Sequence, residues 1–147
     1  MANLATTNNN AEIQNKSDFD IPKGYICTFN IDDIDGKMKL ASALNGAVSM
    51  ANLVDVPLRV TDIVTTQGVR SRSGEICTNT YLICEDETVY FSQSDGIARS
   101  VSILVGLFTN PATKEFINPV SQGVGFMIKE QTLNNGNTLK SGVPVKL

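Results

Sequence analysis

The stretch TVYFSQSDGIARSVSILVGLFTNP, residues 88–111, decides how the rest of the chain is read. Thr88, Val89, Tyr90 and Phe91 are β-branched or aromatic, and such side chains fit the pleated, half-buried surface of a strand. Ser92 and Asp95 have the S-x-x-D spacing of a capping box, whose side-chain oxygens satisfy free N–H groups at a helix start. Ile97, Val101, Leu104, Val105 and Phe108 then recur along one face of a helix. Asn110-Pro111 ends it, because the residue before proline is pushed out of the helical region. A helix with one apolar stripe must lay it on something, and nearly everything around it reads as strand.

On the N-terminal side, residues 75–84 form a strand with Asn79 and Tyr81 opposite Leu82 and Cys84, and Glu85-Asp86-Glu87 is a solvated turn. Residues 56–66 form another, with Val56, Leu58, Val60 and Val64 on one face and Arg59, Thr61 and Thr65 on the other. Between them QGVRSRSG, residues 67–74, reads as a loop by its glycines and serines, and it carries Arg70 and Arg72. After Pro111, residues 116–120 and 123–129 read as strands. Asn134-Asn135-Gly136 is a hairpin turn, since Asn-Gly supplies positive φ angles. The last segment sets Leu139, Val143, Val145 and Leu147 against Lys140 and Lys146, and Pro144 confines it to a sheet edge. Near the N-terminus, residues 24–29 and the alternating 36–40 (GKMKL) read as a strand hairpin with Lys37 and Lys39 on one face. Residues 41–52 read as a loop or weak helical turn. Asp32, Asp33, Asp35 and Gly36 resemble a calcium loop, but Ile31 and Ser42 stand where that loop needs acids. Residues 18–22 (DFDIP) are read as a solvated approach to the first strand, and the asparagine-rich residues 1–17 as a disordered tail.

A chain of 147 residues suits one domain, here residues 18–147. No run reaches the roughly 18 apolar residues of a membrane span, and no signal-peptide pattern opens the chain. The expectation is a cytoplasmic protein with no membrane partner. Cys27, Cys77 and Cys84 are odd in number and far apart, and histidine is absent, so neither a metal site nor a cofactor is expected and the thiols read as buried and reduced. Without histidine, P-loop or G-x-S-x-G, enzyme classes are set aside. A net charge of −3 and a pI near 4.8 argue against nucleic acid at face value. Phosphate binding, however, depends on local charge in a groove more than on the total.

The order strand, strand, strand, helix, strand, strand fits an all-β fold with one helix: an OB-fold-like five-stranded barrel with an added N-terminal β-hairpin. On that scheme residues 56–66 are the first barrel strand, 67–74 the first binding loop, and the helix plugs the barrel bottom. A β-sandwich with one crossover helix is the rival architecture.

Residues 80–108, TYLICEDETVYFSQSDGIARSVSILVGLF, and the earlier segment FNIDDIDGKMKLASALNG carry a resemblance. The order of strand, acidic turn, tyrosine-bearing strand and S-x-x-[VI]-A helix in the first, and the opening F-x-x-x-x-x-[DE]-G-x-[IM]-K in the second, resemble the small single-stranded-DNA-binding proteins of protein-primed phages of Gram-positive bacteria and related mobile elements. The resemblance spans residues 29–108. It implies an OB-like fold, sequence-independent binding of single strands at a viral replication fork in the host cytoplasm, and Tyr90 as the matching tyrosine. Replication proteins (polymerase, primase or helicase) and further copies of the chain are the other partners it suggests.

A single-strand groove needs flat aromatic faces for bases and cations for phosphates. The expected set is Tyr81 and Tyr90 on adjacent strands of one face, Arg70 and Arg72 in the loop, Arg59 and Lys129 along the face, and Lys37 and Lys39 on the N-terminal hairpin. The alternative class is a viral structural or assembly protein without a nucleic-acid site.

Overall fold

The computed structural model describes residues 24–147, so the expected tail over 1–17 and the DFDIP segment lie outside the described residues. In chain order the elements are β1 (Ile26–Cys27), α1 (Ile34–Gly46), β2 (Val48–Ser49), β3 (Pro57–Leu58), β4 (Val60–Val69), β5 (Ile76–Cys84), β6 (Val89–Ser92), α2 (Asp95–Leu107), a 3-10 turn (Pro119–Gln122), β7 (Val124–Thr132) and β8 (Thr138–Lys146). Two sheets result, one of five strands in the order β1-β4-β5-β6-β2 and one of three in the order β3-β7-β8. Every pairing is antiparallel except β2 with β6.

Only Arg59 separates β3 from β4, yet β3 pairs with β7 and β4 with β5. One nearly continuous stretch therefore belongs to both sheets. A register shift between Val60 and Asp62 bends it at the crossing, as a bulge does. The sheets do not join into a closed barrel, so the expected five-stranded barrel is corrected to two sheets with α2 between their edges. The physical reason lies in the pairing: β8 has β7 as its one strand neighbour and does not reach β1 or β2, the edges of the other sheet. Its outer side meets α2 instead, at the small residues Gly96 and Ser100, one turn apart. A Cβ on Gly96 would stand 1.9 Å from the Lys140 carbonyl oxygen, and Ser100 Oγ accepts the Gly142 N–H at 2.9 Å.

The expected stripe on α2 is the one that is buried. Ile97, Val101 and Leu104 are inaccessible and meet Leu58, Val60, Ile63, Leu82, Phe126 and Ile128 from both sheets, while Val105 and Phe108 pack at the margin. Truncating one of these to alanine costs about 2–5 kcal/mol. The cap is Ser94 rather than Ser92: Ser94 Oγ accepts from Ile97 N–H, and Ser92 Oγ accepts from Ser94 N–H.

The N-terminal hairpin is the second correction. Residues 34–46, including Lys37 and Lys39, form helix α1, not a strand. Asp33 caps it through Gly36 N–H at 2.7 Å. Gly36 is packed so closely on the Asn30 carbonyl that a Cβ would overlap it at 1.8 Å. Leu40 and Ala43 then settle on the five-stranded sheet over Val64, Tyr81, Ile83 and Val89. That sheet is thus covered on both faces, by α1 on one and by α2 and the second sheet on the other. Among the described residues there are therefore two α-helices, not one. Two smaller corrections follow: β4 runs on through Gln67–Val69, so only residues 70–74 are a turn, and 116–120 is no strand but a bridge at Phe116 leading into the 3-10 turn.

Candidate functional site

Register decides where the two tyrosines go. Tyr81 lies opposite Phe91 and Leu82 opposite Tyr90, and neighbouring residues of a strand point to opposite faces. Tyr81 is therefore under α1, 8% exposed, its ring 5.1 Å from that of Phe91. Burial raises its phenol pKa. Tyr90 is half-buried on the other face, beside the main core. The expectation that Tyr81 and Tyr90 share one binding face is corrected: they face opposite ways, and Tyr81 is a core residue.

The Tyr90 side opens into a groove of about 240 Å³ lined by Val56, Pro57, Leu58, Arg59, Cys84, Glu85, Asp86 and Tyr90. Proline at 57 and the sheet crossing at Arg59 place this wall, and the β5–β6 turn supplies the other. Arg59 Nε donates to Glu85 Oε1 at 2.7 Å across the groove, with both side chains about half exposed. On one flank Lys129 Nζ donates to Asp55 Oδ1 at 2.8 Å. Lys39, on the α1 side of the sheet, pairs with Asp62 and lies 4.6 Å over the Phe29 ring. Lys39 also lines a neighbouring polar hollow with Thr61, Glu85 and Glu87. The Thr88 N–H, donating to Asp86, holds that carboxyl below its usual range. Burial pushes the Cys84 thiol at the groove floor up to about 12, with Asp86 adding to the effect.

The structure thus gathers Arg59 and Tyr90 into one groove, with Lys129 beside it, and leaves Lys39 with α1 on the other side of the sheet. It does not bring Arg70 and Arg72 to the groove. They sit past the far end of ten-residue β4, roughly 35 Å away at about 3.3 Å per residue. Arg70 is held by Asp95 at 3.0 Å, and Arg72 is exposed in the turn, with no acid partner among the described residues. Lys37 is spent on the chain before α1, where its Nζ donates to the Ile31 and Asp32 carbonyls.

The groove walls Val56 and Pro57 were not in the expected set. Their signal was the exposed valine next to a proline at a strand start, where a side chain has no sheet partner to cover it. Among the described residues no cluster of acids and thiols could hold a metal ion, and no helix is long and apolar enough to cross a membrane. No protein-family model, no curated protein and no solved structure matches this chain.

Proposed function

We propose that this chain binds single-stranded DNA without sequence preference, coating and protecting strands during viral or mobile-element replication. The observation that carries the reading is the shared groove of Tyr90 and Arg59, which puts one aromatic ring and one guanidinium among the lining of a single open hollow. A base stacked on an aromatic ring gains roughly 1–3 kcal/mol whatever its identity. We read the scaffold as an open form of the OB fold, in which β3 and β4 together act as the long first strand and α2 replaces the closing contact.

The acids around the groove shape the expected behaviour. Arg59–Glu85 and Lys129–Asp55 are exposed pairs, and such pairs contribute only about 0–1 kcal/mol. A phosphate displaces the carboxylate at little cost, so binding is moderate and only shallowly dependent on salt. The second reading, a viral structural or assembly protein without a nucleic-acid site, draws on the same ion pairing, which leaves few cations unpartnered. Fluorescence anisotropy with labelled oligo-dT, competed by unlabelled single strand and by duplex, separates the two. The first predicts displacement by single strand at far lower concentration than by duplex. Equal competition, or no binding at low salt, refutes it.

A further inference from the structure

The two ends of the β4–β5 hairpin carry surfaces that complement each other but cannot meet within one molecule. At the tip, Val69 and Ile76 are cross-strand partners, yet they are 59% and 71% exposed. The turn between them carries Arg72, which has no acid partner among the described residues, whereas Arg70 is held by Asp95 and Glu75 by Ser73. At the opposite end stands the β5–β6 turn Glu85-Asp86-Glu87. Glu85 is held by Arg59, but Asp86 and Glu87 have no cation among the described residues. Beside that turn Val56 is 42% exposed at the mouth of the groove. The nine residues of β5 keep the two ends about 30 Å apart.

We propose that copies of this chain associate head to tail, the hairpin tip of one seated at the groove mouth of the next. Val69 and Ile76 lie against Val56 and Pro57, and Arg72 meets Asp86 and Glu87, so a seated tip and a single strand at Tyr90 compete for the same groove mouth. The occupant is a second copy because the tip offers a cation flanked by apolar side chains and the far end offers acids flanked by an apolar wall. Asp86 and Glu87 are both exposed at that turn, so their carboxylates are available to a cation from another copy. The two surfaces differ, so the contact is heterologous. Repetition gives an open chain of copies rather than a closed dimer. Opposed charges set the encounter and the register, and the apolar contact supplies the adhesion.

Sedimentation velocity of the full chain, without nucleic acid and at low salt, tests this independently of any DNA binding. The expected result is a weight-average sedimentation coefficient that rises with concentration past the dimer value and falls on adding salt. Arg72→Ser with Ile76→Ser, and separately Asp86→Asn with Glu87→Gln, each remove one end. Either variant alone should stay monomeric, and circular dichroism should match the parent because all four positions are surface residues. Mixed in equal amounts, the two variants should form a complex that stops at two copies, since each retains one working end. A parent that stays monomeric throughout, a parent that stops at a dimer, variants that associate like the parent, or a mixture that forms no pair would each overturn the proposal.

Discussion

With no tryptophan and only three tyrosines, Tyr25, Tyr81 and Tyr90, intrinsic emission reports on very few places. Tyr90 alone lies in the groove, while Tyr81 is sealed beneath α1 and Tyr25 packs at the edge of the same cluster. A saturating single strand should therefore quench about one emitter in three, roughly a third of the signal if the three emit equally. Tyr81→Phe keeps the ring against Phe91 and removes only a hydroxyl with no hydrogen bond to lose. The variant should fold and bind as the parent does while its quenched fraction rises to about a half, because one silent emitter is gone. Tyr90→Phe keeps a stacking face but removes the reporter, so affinity should hold within a few-fold while the quench disappears. Tyr90→Ala removes both, at about 1–3 kcal/mol, or about 5- to 150-fold in Kd. The assay is a titration with oligo-dT read by tyrosine emission and by anisotropy of a labelled strand in parallel. A quench that survives in Tyr90→Phe but vanishes in Tyr81→Phe would refute the reasoning, because it would place the strand on the face that α1 covers.

Other outcomes follow from the same geometry. Arg59→Ala with Lys129→Ala should reduce the slope of log K against log salt by about 1.4, at roughly 0.7 for each phosphate lost, while the emission quench at saturation stays; an unchanged slope would remove both residues from the site. Gly142→Ala would place a Cβ 1.9 Å from the Phe126 ring, and such overpacking costs about 1–3 kcal/mol, to be read as a lower urea midpoint. Cys84 is raised from 9.0 to about 12 in the fold, so the folded state holds a proton that the unfolded chain gives up. Stability is then full below pH 9 and falls as pH rises from 9 towards 12. Melting curves across that range should drop less steeply in Cys84→Ala than in the parent. The buried Cys77 and Cys84 should resist a thiol reagent under native conditions, and partly exposed Cys27 should react first, slowed by burial and the nearby Asp62 charge that raise its pKa.

How far the sequence revealed this fold can be seen at particular residues. The strand and helix of residues 88–108 were legible because β-branched residues give way abruptly to a 3.6-residue apolar period, and that period matches the core that α2 completes. Helix α1 was not. Ile34, Gly36, Met38 and Leu40 alternate with Asp35, Lys37 and Lys39, which is strand periodicity, and the helix accepts the misfit by leaving Ile34 and Met38 68% and 63% exposed. What makes it helical is local: the Asp33 cap and the space that only glycine leaves at position 36. The tyrosine assignment failed through register, where moving one residue along a strand turns every side chain to the other face. Tyr81 was counted with Tyr90, yet pairing opposite Phe91 turns it away. The ion pairs were invisible for another reason. Lys129 finds Asp55 from 74 positions away, and Lys39 finds Asp62 from 23, so no local pattern announces that these cations are already matched.

The contact between α2 and β8 has a consequence for how the chain is made. Gly142 gives its N–H to Ser100, and Pro144 has none to give, so the middle of the outer margin of the second sheet is a poor template for a passing strand. That protection arrives after β7 has been made. Until residues 138–146 have docked, β7 is itself the bare margin, and the Phe126 ring lacks the Gly142 backbone it packs against. A nascent or truncated chain ending near residue 132 would leave β7 as that bare margin, and should aggregate more readily than the chain that carries β8.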